Sequence, residues 1–212
     1  MANRYALPVE GKNEKFVFDH LFIHHGIAEG RIEYRVKDGI TILLDSLPQE
    51  LRASELERLG IVVDADADLV TRWQSVRNRL ASAGYVVPVE PDPNGTIVEF
   101  EDHPTVGIWL MPDNTLPGML EHFVSFLGAA DDPLWAIAND CLNEIPEDQR
   151  RFIPNHRIKA HIHTWLAWQP EPGTPFGSAI TKRYLNADAP HARQLISWIR
   201  RLFNLTEDGG EL

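Results

Sequence analysis

The 212-residue chain has little of what stabilises secreted or membrane proteins. Its one cysteine, Cys141, excludes an internal disulfide and a zinc site built from several cysteines. No apolar run approaches the roughly 18 residues that span a bilayer. The first residues, MANRYALPVEG, lack an apolar stretch of signal-peptide length. We therefore expect a cytoplasmic protein without a membrane partner.

Positive charge is scarce in the first part of the chain. Residues 1–149 hold 11 Lys and Arg against 26 Asp and Glu, a net charge of −15, whereas residues 150–212 hold 9 against 5, a net charge of +4. The overall charge of −11 argues against a protein that coats nucleic acid through a general basic surface. The distribution suggests instead that the first part holds a metal ion and the second part contacts phosphates.

The order of the predicted elements indicates an α/β fold. YALPVEG and LGIVV have the composition of buried strands, RIEYRVKDG alternates like a half-exposed strand, and TVGIWL is a further strand. YVVPVE and TIVEFE are weaker strand candidates, and a short helix is expected near residues 48–56. Helical patterns follow several strands, as in DLVTRWQSVRNRLASAGY and MLEHFVSFL. Strands that alternate with helices predict a largely parallel sheet flanked by helices.

From Asp132 onward the patterns are helical. PLWAIANDCLNEI, RIKAHIHTWLAWQ and HARQLISWIRRLFNL each predict an amphipathic helix. We expect an α/β domain over residues 1–130, a helical extension packed on it over 131–205, and a disordered tail over 206–212.

Acidic residues fall where the predicted strands end. Glu10 follows the first strand, Asp64 and Asp66 follow LGIVV, and Asp113 follows TVGIWL; Glu121 lies on the next helix. Ligand sites of open parallel sheets gather at the carboxyl ends of the strands. Carboxylate oxygens are the ligands that Mg²⁺ and Mn²⁺ prefer, so we expect one of these ions here.

Two motifs in this part of the sequence resemble the TOPRIM domain. VEGKNE, residues 9–14, follows a short strand, and VVDAD, residues 62–66, comes about fifty residues later. The resemblance covers roughly residues 4–127. The chain is similar to small stand-alone TOPRIM-like proteins and, distantly, to OLD-family nucleases. It implies a Rossmann-like fold, Glu10 as general acid or base, and Asp64 and Asp66 as Mg²⁺ ligands. By a looser match, Asp113 and Glu121 would complete the metal site.

The resemblance implies a Mg²⁺-dependent nuclease or related phosphoryl-transfer protein, in a phage-defence or DNA-repair system. Lys12, Lys182 and Arg183 are the candidates for contact with a nucleic-acid substrate. The alternative is a non-catalytic TOPRIM-like binding or regulatory module that works with a partner ATPase. Topoisomerase and primase activities are disfavoured, because 212 residues leave no room for their additional domains.

Other site types fit the sequence less well. An EF-hand loop that began at Asp64 would need glycine and glutamate at its sixth and twelfth positions, where Leu69 and Ser75 stand. A phosphoacceptor receiver domain needs an acidic pair after its first strand, but Glu10 is followed by glycine. Asp68 is expected to cap the helix after the aspartate cluster. The histidines lack HExxH-like spacing, and we expect structural roles for them.

Overall fold

The computed structural model describes residues 4–128 and 132–206, which contain a five-stranded, mostly parallel sheet. The sheet order is β2-β1-β3-β5-β4, and only β4 runs antiparallel to its neighbour. The strands are β1 (Tyr5–Val9), β2 (Glu33–Val36), β3 (Arg58–Asp64), β4 (Thr96–Val98) and β5 (Thr105–Met111). From β1 the chain proceeds to β2 on one side and then to β3 on the other. The carboxyl ends of β1 and β3 therefore form the topological switch point of the sheet.

Helices cover both faces of the sheet. They are α1 (Lys12–His24), α2 (Ile40–Glu50), α3 (Leu69–Ser82), α4 (Leu120–Ser125), α5 (Pro133–Asn143), α6 (Arg157–Ala167), α7 (Phe176–Thr181) and α8 (Pro190–Phe203). Alternate residues of β3 point to opposite faces, as strand geometry requires. Ile61 packs in one buried cluster with residues of α2 and α3, and Val62 packs in the other with residues of α1 and α8.

The last helix, α8, forms part of the core beneath the sheet. Trp198, Leu202 and Phe203 are fully buried in the same cluster as Leu7 of β1 and Trp109 of β5. Gly107, in β5, permits the close approach of α8 to the sheet. A Cβ atom at Gly107 would lie 2.4 Å from Leu202 Cδ2.

Most of the predicted elements are confirmed, including the α/β class and the largely parallel sheet. The predicted helix near residues 48–56 is misplaced, since α2 begins at Ile40 and ends at Glu50. Pro48, the first residue of the predicted range, lies inside the last turn of α2 and not at its beginning. YVVPVE forms no strand, and the short helix α7 was not predicted. The predicted cap at Asp68 accepts a backbone N–H of the helix that follows, and Asp132 does the same for α5.

The predicted boundary at residue 130 and the predicted tail fall largely outside the described residues. None of the helices in ranges 4–128 and 132–206 has the length and apolar character needed to cross a membrane.

Candidate functional site

An acidic cavity of about 550 Å³ lies at the carboxyl edge of the sheet. Five carboxylates line it, and four of them come from the end of β1, the first turn of α1, the end of β3 and the first turn of α4. These four are Glu10, Glu14, Asp64 and Glu121. The exposed Asp38, after β2, and two lysines, Lys12 and Lys159, also line the cavity. Acids that are far apart in the sequence therefore meet at the switch point.

Glu10 and Asp64 are fixed by backbone contacts between neighbouring strands. The backbone N–H of Asp64 donates a hydrogen bond of 2.8 Å to Glu10 Oε1. The backbone N–H of Leu120, at the start of α4, donates a hydrogen bond of 3.0 Å to Asp64 Oδ1. Each carboxylate thus has one oxygen engaged by the protein, which sets its orientation and leaves the other oxygen available to a ligand.

Gly11 connects β1 to α1 and allows Glu14 to turn back toward the cavity. A Cβ atom at Gly11 would lie 3.0 Å from Glu14 Oε2, closer than an ordinary contact. The Glu14 carboxylate can therefore lie over the glycine. Sequence reasoning missed Glu14 as a site residue, although it stands in the VEGKNE motif. The signal was its spacing, because a helix that begins at Lys12 places Glu14 in the first turn, beside the strand end.

The acids perturb one another because they are partly withdrawn from water. Burial raises the pKa of Asp64 well above its usual range, and the charges of Glu10, Glu14, Glu121 and Asp66 raise it further. Burial is also the main cause that raises the pKa of Glu10. The hydrogen bond from the Asp64 N–H and the charge of Arg72 act in the opposite direction and lower this pKa. Burial and the charge of Glu121 raise the pKa of Glu14. Each of these shifts disfavours the charged form of the acid, and a bound cation would oppose them.

Lys159 is the one basic residue that forms an ion pair with a carboxylate of this cavity in the described residues. Its Nζ lies 3.4 Å from Glu121 Oε1, and Glu121 is nearly fully buried whereas Lys159 is 41% exposed. Lys159 belongs to α6, so the C-terminal helices contribute to the site. Lys12, a predicted substrate-binding residue, lines the same cavity.

Asp66 lies beside the acidic cavity. Its backbone has a φ of 54°, and its N–H donates to the carbonyl oxygen of Gly118 at 2.7 Å. Arg72 Nη2 donates to Asp66 Oδ2. Asp66 lines a neighbouring cavity of about 480 Å³, together with His122 and Arg157. The two aspartates of the DAD sequence therefore face two adjacent cavities.

Asp113 does not line the acidic cavity and stabilises a turn after β5. Its Oδ1 accepts hydrogen bonds from the backbone N–H groups of Thr115 and Leu116, at 2.9 and 2.8 Å, and from the Thr115 hydroxyl.

Lys182 forms an ion pair with Glu171. Arg183 lines a separate cavity with His20 and His24. These two predicted substrate contacts lie after α7 and do not line the acidic cavity.

The carboxylates of the cavity suit an oxygen-binding divalent cation, although they are spread out. In the described ranges, no three of them bring one oxygen each within 4.8 Å of one another. Mg²⁺ commonly takes only one or two protein carboxylates and fills its other positions with water and phosphate oxygens. The donor set therefore fits Mg²⁺ or Mn²⁺ with a largely hydrated coordination shell.

Comparison with known proteins gives one match that spans nearly the whole chain. The family described as "Protein of unknown function (DUF3226)" matches residues 4–204. The chain belongs to the DUF3226 family. No curated protein and no solved structure matches it. The DUF3226 match includes the acidic cavity and helices α5 to α8, so the family unit contains both the sheet and Lys159.

Proposed function

We propose that this DUF3226 chain has a TOPRIM-type fold and is a Mg²⁺-dependent nuclease or a related phosphoryl-transfer protein. One observation carries the proposal: partly buried carboxylates of raised pKa gather at the switch point of a parallel sheet. Burying several acids together is unfavourable unless a positive ligand compensates. The position of Glu10 after β1 and of Asp64 at the end of β3 also agrees with the two TOPRIM-like motifs.

We assign the metal-binding role to Asp64, assisted by Glu121 and Glu14. Asp66 is adjacent and would reach the ion through water or after release from Arg72. A divalent cation supplies charge neutralisation at the phosphoryl group and acidifies a water molecule. Phosphodiester hydrolysis fits this donor set better than reactions that need a serine, threonine or cysteine nucleophile, because none of these residue types is among the described residues that line the cavity.

Glu10 is the best candidate for a general base. Its pKa is raised by burial, which brings it closer to the pKa that proton transfer near neutral pH requires. The Asp64 N–H holds one of its oxygens in place. The other oxygen would accept a proton from the attacking water. Lys12 and Lys159, at the cavity wall, would contact the phosphate oxygens of the substrate.

The direct test is cleavage of single-stranded and double-stranded DNA and RNA by the full chain with Mg²⁺ or Mn²⁺. We expect cleavage that EDTA abolishes and that falls by at least about 100-fold in Glu10→Gln and Asp64→Asn. Glu55→Gln is the matched control, because Glu55 is exposed and lies before β3, at the opposite edge of the sheet. It should cleave like the wild type.

Equal trace cleavage in the wild type and in both cavity variants would refute the catalytic role. In that case, stabilisation by Mg²⁺ without cleavage would favour a non-catalytic module that binds nucleic acid or works with a partner ATPase. A change of Tm with Mg²⁺ in the wild type but not in Asp64→Asn separates metal binding from catalysis.

A further inference from the structure

A second group of metal-binding side chains lies at the other end of α1. It consists of His24, the last residue of α1, His25 after it, and Asp188 in the turn before α8. One ligand atom from each of the three lies within 4.8 Å of the other two, and no other His, Cys, Asp or Glu group in the described ranges does so. Ten residues of helix separate His24 from Glu14, about 15 Å. The group is therefore distinct from the acidic cavity.

We propose that His24, His25 and Asp188 form a binding site for a transition-metal ion of the Zn²⁺ class. Two imidazole nitrogens and one carboxylate oxygen are a donor set that Zn²⁺ takes readily and Mg²⁺ does not favour. The chain would then carry two different metal sites, one at each end of α1.

One spacing between the ligand atoms is close to that of a zinc site. With metal-to-ligand distances near 2.0–2.1 Å, neighbouring ligand atoms around Zn²⁺ lie about 3.3 Å apart. His24 Nε2 and Asp188 Oδ2 are separated by 3.1 Å. A simple surface ion pair accounts for these two atoms. It does not account for the convergence of His25 on the same point.

Contacts around the ligands orient two of them for binding. His25 Nε2 lies 2.9 Å from the carbonyl oxygen of Ala187. Because a carbonyl only accepts, Nε2 carries the hydrogen in this contact, so a metal ion would bind Nδ1 or would take the place of the Ala187 contact. The Asp188 backbone N–H donates to Asn186 Oδ1 at 2.9 Å, and the Asn186 N–H donates to the Leu127 carbonyl oxygen at 2.6 Å. These bonds fix the turn that presents Asp188.

His24 and Asp188 also line a cavity of about 540 Å³, together with Thr181 and Arg183. A site with three protein ligands keeps one position for water or for an anionic ligand. The side chains of His24 and Asp188 are 45% and 49% exposed, so an ion can enter without a rearrangement of the core.

The test is calorimetric titration of the chelator-treated full chain with Zn²⁺, with Mg²⁺ in excess to occupy the acidic cavity. We expect one equivalent of Zn²⁺ to bind. His24→Ala and Asp188→Asn should each weaken it by more than about tenfold. Co²⁺ in place of Zn²⁺ provides a second readout, the visible absorption of a tetrahedral site. Two controls, His156→Ala at an exposed histidine and Asp64→Asn in the acidic cavity, should bind Zn²⁺ like the wild type.

Circular dichroism establishes that the variants are folded, which their exposed positions lead us to expect. The proposal is wrong if the wild type binds no Zn²⁺, or if His24→Ala and Asp188→Asn both bind it unchanged. Loss of Zn²⁺ binding in Asp64→Asn alone would place the ion in the acidic cavity and would also refute the proposed site. Because Asp64→Asn is tested separately, failure of this site leaves the proposed phosphoryl-transfer function unaffected.

Discussion

Replacement of Asp64 by asparagine should stabilise the metal-free protein. Asp64 and Glu10 lie at the ends of neighbouring strands. At the spacing of neighbouring strands, about 5 Å, two carboxylates repel by about 2 kcal/mol at an effective dielectric constant near 40. Asparagine removes that charge and keeps an oxygen to accept the Leu120 N–H. Because a neutral acceptor is weaker than a charged one, we expect a net gain of about 1 kcal/mol in the free energy of unfolding.

The assay is urea and thermal unfolding at pH 7.5 in EDTA and again in Mg²⁺. A gain of 1 kcal/mol corresponds to a rise in Tm of about 2–4 °C for a chain of this size. In Mg²⁺ the order should reverse, since an ion at 100 times its Kd stabilises the wild type by about 2.7 kcal/mol and the variant by much less. Glu55→Gln should change neither value by more than about 0.5 kcal/mol. If Asp64→Asn is the less stable protein in EDTA, the acids do not repel one another as we infer.

Three further predictions concern the pH dependence, the packing of α8 and the turn after β5. The pKa values of Glu10, Glu14 and Asp64 are raised in the folded chain, so it binds more protons than the unfolded chain in the window between the ordinary and the raised values. Without metal, the free energy of unfolding should therefore fall as the pH rises through that window, and urea unfolding should show a steeper fall for the wild type than for Asp64→Asn. Gly107→Ala should cost about 1–3 kcal/mol in the same assay, because its Cβ would overlap Leu202. Asp113→Ala should lower the free energy of unfolding by about 1–2 kcal/mol, because the turn hydrogen bonds are lost. The variant should still show the rise in Tm with Mg²⁺, and loss of that rise would make Asp113 a metal ligand.

The parts of the fold that depend on local pattern could be read from the sequence. The apolar runs of β1, β3 and β5 are unambiguous, and the acids that follow β1 and β3 were correctly placed at the ends of these strands. Asp68 was correctly separated from its neighbours, since its side chain accepts the Thr71 N–H as a helix cap. In each case, a few consecutive residues determine the outcome.

The parts of the sites that depend on distant packing could not be predicted. Lys159 reaches Glu121 because α6 packs against α4, and no local pattern encodes that contact. Asp188 meets His24 across 164 positions of sequence. Asp113 follows a strand as the other acids do, but its own turn supplies nearby N–H donors and engages its carboxylate. Sequence position alone does not separate a turn acceptor from a metal ligand.

The packing of α8 has a consequence for the order in which the chain can fold. Trp198, Leu202 and Phe203 complete the core beneath β1, β3 and β5, although they come about ninety residues or more after the last of those strands. During synthesis, the strands that carry Glu10 and Asp64 leave the ribosome long before the helix that covers one of their faces. Until residues 190–203 emerge, that face of the sheet lacks its cover. The acidic cavity can therefore reach its final form only after residues 190–203 have emerged.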